Sequence, residues 1–398
     1  MKVLIYFSLS KLAPIGGPSG YLYGLKKALD NLHNEKITID FLHENVSPTK
    51  NELKSIAKRN HKPIVKQAVK IYRSLRGART LNMILTKQSS PKVNLNDYDV
   101  IHFHSTKDYY LLRDALKEYR GITILTSHSP QPLSSEFIQS LSLIEKAVIG
   151  KKVTSLIEMD RYTFRNVDFI VFPCESADEP YIHEWPEYQS IKETRKEKYR
   201  YLLTGSLPAN IKTPRDVIRE QYKIPKDAFV ISYVGRHNEI KGYDRLKRIG
   251  DQFLKKHPNS YFIIAGREGP LKGIDHPRWI EVGWTDEPHS YINASDVFVL
   301  PNKETYFDLV LLEVLSIGTY SLISNTGGNK YFKKFIEAGL SFFDTEEDAI
   351  NKLEKICNMS REEKVKKEYK NKKIFSTYFT TEIFAQNYLN LMVNLCKK

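Results

Sequence analysis

Cysteine is scarce: among 398 residues there are three, Cys174, Cys357 and Cys396, far apart and in no C-x-x-C or His–Cys arrangement. A disulfide framework and a zinc knuckle are thereby excluded, and a reducing compartment is expected. Long hydrophobic runs are also missing. A spanning helix needs about 18 consecutive apolar residues, and the sequence contains no such run. The opening residues Met1–Phe7 place a lysine before an apolar stretch, but Ser8, Ser10 and Lys11 interrupt it, so a first strand is expected instead of a signal peptide. Internal repeats, low-complexity tracts and a G-x-G-x-x-G dinucleotide fingerprint are absent too.

What is present is ordinary globular material, 41% hydrophobic and 27% charged. The length suffices for two domains with their own cores. Apolar runs rich in β-branched and aromatic residues recur at Val3–Phe7, Ile37–Leu42, Val100–Phe103, Ile122–Thr126 and Phe169–Pro173. A second series follows at Phe229–Val234, Tyr261–Ala265, Trp279–Val282, Val297–Leu300 and Ser321–Ser324. Short buried strands alternating with helices predict α/β architecture with parallel sheets covered on both faces. Two series predict two doubly wound domains. The least patterned stretch, Glu184 to Pro214, carries the breakers Gly205, Pro208 and Pro214, which places a boundary near Thr204. After Thr380-Thr381-Glu382, the residues Phe384, Tyr388, Leu391, Met392 and Leu395 repeat with a helical period, so an amphipathic helix closes the pattern.

Charge is unevenly spread. Between Lys50 and Lys92 there are twelve Lys or Arg and one acid, Glu52, a local +11 that leaves only +3 of the formal +14 for the remainder. From Lys62 to Arg76 a helix is expected with Ile64, Ala68, Ile71, Tyr72 and Leu75 on one face and Lys62, Lys66, Lys70, Arg73 and Arg76 on the other. A solvated face would normally mix signs, so an acidic partner is favoured, anionic lipid or a lipid-phosphate acceptor first. Nucleic acid is not expected, because Tyr72 is the one aromatic interleaved with those cations.

In α/β sheets ligands bind beyond the carboxyl ends of the strands, so the residues just after each strand carry the chemistry. Phe229–Val234 is followed by Gly235-Arg236-His237-Asn238-Glu239-Ile240-Lys241-Gly242. Two cations five residues apart beside a strand end suit a diphosphate, while the distant carboxylate Glu313 suits sugar hydroxyls, which it can accept in pairs. Glu313, in the apolar run Leu309–Leu315, is either a buried carboxylate near a helix N-terminus or a ligand contact. After the first strand, Gly16-Gly17-Pro18-Ser19-Gly20 is either a tight turn or a backbone contact for phosphate or sugar. His104 and His128 each follow a strand, where a lone histidine is usually structural. Asp97-Tyr98-Asp99 has the form of a D-x-D metal motif but precedes a strand, and is read as surface loop.

These motifs resemble the GT-B retaining glycosyltransferases of family 4, and the resemblance extends over nearly the whole chain. The family's GR-x4-KG segment is intact at Gly235–Gly242. Its E-x7-E segment departs, since Glu304 and Glu313 are spaced Glu-x8-Glu and Thr305 stands at the expected place. The resemblance implies two Rossmann-like domains, 1–203 for the acceptor and 204–375 for the donor, facing each other across a cleft, with 376–398 returning to the first. It implies catalytic roles for His128, which would face the donor sugar, for Arg236 and Lys241 on the leaving diphosphate, and for Glu304. Gly16, Gly17, Thr305, Phe307, Asp308, Leu309, Val310 and Glu313 would line the donor, with Glu313 on the ribose. Either Glu304 or Thr305 takes the first carboxylate's place. Two cations let such an enzyme dispense with a divalent metal, so neither metal nor cofactor is expected.

The implied activity is transfer of a hexose-type sugar, with a UDP-sugar the first expectation, to a glycan or lipid-linked acceptor in cell-surface polysaccharide synthesis. The chain would be cytoplasmic and peripheral at the inner face of the membrane through residues 50–92. The alternative is a non-catalytic GT-B-like partner subunit.

Overall fold

The computed structural model describes residues 1–8, 12, 17–32, 36–42, 88–128, 131–141, 146, 153–335 and 337–397. Gly16 and most of the basic segment, including the helix expected over 62–76, lie outside the described residues.

Twelve strands among the described residues form two parallel sheets of six. The first contains β1 (Lys2–Tyr6), β2 (Thr38–Phe41), β3 (Val100–Phe103), β4 (Ile122–Thr126), β5 (Phe169–Phe172) and β6 (Tyr199–Tyr201), in the order β2-β1-β3-β4-β5-β6. The second contains β7 (Phe229–Val234), β8 (Ser260–Ala265), β9 (Trp279–Gly283), β10 (Val297–Leu300), β11 (Tyr320–Ser324) and β12 (Leu340–Phe343), in the order β12-β11-β10-β7-β8-β9. The central strands are apolar without alternation, as in β3 (VIHF) and β10 (VFVL), and every residue of both is buried. Helices on both faces demand that pattern. The expected fold class is therefore observed.

Two strands and a helix were not anticipated. The helix Tyr188–Thr194 and strand β6 occupy the stretch read as unpatterned, and β12 extends the second sheet. Both strands lie at sheet edges. Short edge strands need no long apolar run, which is why periodicity passes over them.

The closing helix, Thr381–Leu395, starts where the side chain of Thr380 accepts the N–H of Ile383. Its buried face, Phe384, Tyr388, Met392 and Leu395, packs with Val3, Ile5, Tyr21, Leu22 and Leu25 of the first domain. Each such side chain stabilises by about 1.5–3 kcal/mol on burial. Gly24 permits the close approach, since a Cβ there would lie 3.2 Å from Thr381 Cγ2. The chain thus crosses back onto the first sheet. Among the described residues no helix is long and apolar enough to cross a membrane.

The domains also share one core. Phe172, Cys174 and Tyr181 from the first cluster with Tyr306, Phe307 and Phe332 from the second, and the rings of Phe172 and Tyr306 lie 5.6 Å apart. Polar bridges flank it. Glu179 accepts the N–H of Gly327 at 2.8 Å and pairs with Lys330, while His183 Nδ1 meets Glu304 Oε1 at 2.8 Å.

Candidate active site

In the second sheet the chain reverses direction between β7 and β10, the adjacent strands from which it winds outward both ways. The crevice beyond the carboxyl ends of such a pair is where a doubly wound sheet binds ligand. The loops leaving these two strands are joined by backbone bonds, with Lys303 N–H donating to Ile240 O at 3.0 Å. Gly242 makes the join possible. Its φ is +65°, and a Cβ would stand 1.8 Å from Pro301 O, so no side chain fits. Upstream, Asn238 Oδ1 accepts the N–H of Lys241 at 2.9 Å and sets the turn. The GR-x4-KG spacing is thus a device for laying one loop on the other.

That geometry delivers Lys241 to Asp308. The ammonium donates to Asp308 Oδ1, and Oδ2 accepts from Asn302 Nδ2 and, at 2.7 Å, from Thr305 Oγ1. Lys241 and Asp308 are 26% and 12% exposed, so the pair is only partly screened by water. Arg236 differs: its side chain is exposed and has no ion pair among the described residues, while its carbonyl accepts from Tyr233 Oη at 2.9 Å. Among the described residues one cation is already neutralised and the other has no ion pair.

The two residues considered for the first carboxylate's place are both committed elsewhere. Glu304 points to His183 of the other domain, and its second oxygen is buried without a partner. Thr305 is buried and gives its hydroxyl to Asp308. The carboxylate beside Lys241 is Asp308.

The Phe307 ring stacks on Phe332 at 5.4 Å within the interdomain core, so only its backbone remains for a ligand. Leu309 and Val310 open the helix Leu309–Ile317, with side chains packed against the same core. Glu313 is the fifth residue of that helix, too far along to accept the free N–H groups of its first turn. This removes the reading of Glu313 as an N-terminal helix carboxylate. Instead its Oε2 lies 3.1 Å from His289 Nε2, with 29% of the side chain exposed.

On the first domain, His128 Nε2 meets His104 Nδ1 at 2.8 Å, and Tyr21 lies edge-on to the His128 ring at 4.6 Å. His102 continues the group, with Nε2 at 2.8 Å from Thr126 Oγ1 and Nδ1 at 3.0 Å from Tyr388 Oη of the closing helix. Burial pushes the pKa of both His102 and His128 down to about 3 and that of His104 well below its usual value, so the three rings are neutral. His128 keeps Nδ1 without a hydrogen bond among the described residues. Gly17, with φ +69° at the start of the helix Gly17–Asn31, has nothing within 4 Å of its missing Cβ. The Asp97–Asp99 segment is structural, since Asp99 Oδ2 accepts the N–H of Lys2 at 2.7 Å. Among the described residues no group of three or more His, Cys, Asp or Glu could hold a metal.

Sequence reasoning missed Asn302, His183 and His289. Asn302 follows Pro301 at the exit of β10, a position that could have flagged it. The two histidines lie on helices, where no motif marks them.

Residues 214–373 match the family described as Glycosyl transferases group 1. The O-antigen biosynthesis glycosyltransferase WclY of Escherichia coli is 24% identical over 193 residues, covering 45% of this chain and 51% of the relative. The chain thus spans about half the length of the curated relative it matches. Among solved structures, the catalytic domain of starch synthase IV from Arabidopsis thaliana bound to ADP and acarbose superposes with a TM-score of 0.65 at 13% identity, covering 99% of this chain and 98% of the other. HepE of Anabaena in complex with UDP-glucose gives 0.59 at 12% identity, over 99% and 100% of the two chains. The fold is that of the GT-B glycosyltransferases.

Proposed function

We propose that this chain transfers a sugar from a nucleoside diphosphate donor, a UDP-sugar first, to a glycan or lipid-linked acceptor in cell-surface polysaccharide synthesis, with retention of configuration. The observation that carries the reading is the joined pair of loops at the β7/β10 crevice, which leaves Arg236 exposed and holds Lys241 beside Asp308. Negative charge grows on the diphosphate as the sugar leaves, and fixed cations stabilise it most at that moment. The leaving phosphate assists deprotonation of the acceptor hydroxyl on the same face, so the protein chiefly positions groups and stabilises charge. Glu313 accepts the ribose hydroxyls, and His128 Nδ1 addresses the sugar. The relative's O-antigen role and the UDP-glucose in the HepE complex support this reading.

Trp284, 72% exposed just past β9, offers a stacking face for the base. Thermal stabilisation and Trp fluorescence measured with UDP, ADP and GDP test the site. A ligand at a hundred times its Kd should add about 2.7 kcal/mol of stability, and absence of any response with all three would sink the proposal. The basic segment 50–92 is proposed to meet anionic lipid. Salt-insensitive co-sedimentation, equal with neutral and acidic vesicles, would remove that contact.

Two observations favour the alternative of a non-catalytic partner subunit: Lys241 is neutralised internally and Glu304 is turned to His183. Nucleotide binding without any donor hydrolysis or transfer would select it.

A further inference from the structure

His289 is held by a hydrogen bond on one side and faces a carboxylate on the other. The backbone N–H of Asn210, in the linker between the sheets, donates to His289 Nδ1 at 2.9 Å. A ring nitrogen that accepts an N–H carries no proton, so the proton of this imidazole is on Nε2. Nε2 lies 3.1 Å from Glu313 Oε2.

The linker that supplies the Asn210 N–H is itself secured to the helices bearing the two residues. Ala209 N–H donates to Ser316 Oγ at 2.9 Å, and Ser316 Oγ donates to Glu313 O at 2.7 Å. Lys212 and Thr213 N–H both donate to Ser290 Oγ, at 3.1 and 2.9 Å. The linker cannot shift without disturbing the histidine.

We infer that His289 is a positioning residue for Glu313. Its protonated Nε2 stands 3.1 Å from one carboxylate oxygen, an electrostatic contact that biases where Oε1, which takes no hydrogen bond among the described residues, faces a ligand. This rests on the reading of Glu313 as the acceptor for ribose hydroxyls and adds what aims it. Discrimination between ribose and deoxyribose then depends on a group that does not itself touch the nucleotide.

The experiment measures Kd for UDP, ADP and GDP and for their 2′-deoxy and 3′-deoxy counterparts, in the full chain and in three variants. His289→Asn keeps an acceptor for the Asn210 N–H and loses the group facing Glu313. His289→Gln keeps a donor at the Nε2 position, and His289→Phe loses both. For the nucleotide that binds, wild type should prefer the ribose form by about tenfold, equivalent to about 1.4 kcal/mol. The preference should largely survive in His289→Gln and fall severalfold in His289→Asn and His289→Phe. Thermal stability should instead follow the Asn210 contact, so a merely structural histidine would move stability in His289→Phe and leave the preference intact in all variants. Retained preference in His289→Asn and His289→Phe overturns the inference alone. A wild type that binds nucleotides without any ribose preference overturns the Glu313 reading, and the inference with it.

Discussion

Lys241 and Asp308, 67 residues apart in the chain, form an ion pair that Asn302 and Thr305 complete from the other side. The carboxylate sits beside the cation proposed to meet a diphosphate. An incoming phosphate must therefore share Lys241 with an anion already in place.

Removing that anion while keeping the side chain's shape should tighten nucleotide binding. Asp308→Asn is expected to lower the Kd for the preferred nucleoside diphosphate by roughly tenfold, about 1.4 kcal/mol, because the lysine no longer divides its charge. Isothermal titration of both proteins reads this directly. Weaker binding by the variant would mean that Asp308 holds Lys241 in its working position.

Arg236 is the complementary case, an exposed cation without an ion pair among the described residues. Arg236→Ala should leave stability within about 0.5 kcal/mol of wild type and reduce turnover by about 10²–10³, roughly 2.7–4 kcal/mol of barrier stabilisation. Transfer rates and thermal melts separate the two effects. Near-normal turnover in this variant and in Lys241→Ala would remove the assignment of both cations.

If Arg236 and Lys241 supply the positive charge at the diphosphate, as proposed, activity should survive excess chelator. Transfer measured before and after chelation decides the matter. A complete loss restored by a divalent cation would show that the two side chains are insufficient.

Acid should act on stability through the histidines of the first domain. His102, His104 and His128 have folded-state pKa values depressed below 6.5, so the unfolded chain binds more protons between pH 6.5 and about 3. Stability therefore falls as pH drops through 6.5, by about 1.4 kcal/mol per pH unit for each ring. Buried Asp108 and Asp160, whose pKa values burial raises, contribute in the opposite sense. A difference between proteins isolates the histidines: His104→Phe should flatten the slope from pH 6 to 4 by about 1.4 kcal/mol per unit. Identical slopes in denaturant titrations would mean that His104 is protonated in the folded chain.

The strand runs and the order of sheet and helix were determined by the sequence alone, because the continuous apolar run of a buried strand is local and needs no partner to be read. Val100–Phe103, Ile122–Thr126, Phe229–Val234 and Val297–Leu300 were found with their observed limits. The Gly235–Gly242 spacing was equally readable, since a left-handed glycine leaves its mark in the residue type. Edge strands Tyr199–Tyr201 and Leu340–Phe343 were not, because they are partly exposed and form no continuous buried apolar run.

Only the tertiary structure decided what each charged group faces. The turn of Glu304 toward His183, the capture of Lys241 by Asp308 and the approach of His289 to Glu313 join residues from different strands, loops and domains. The direction of a carboxylate depends on which distant donor the packing brings within reach. No local pattern in the chain encodes that distance.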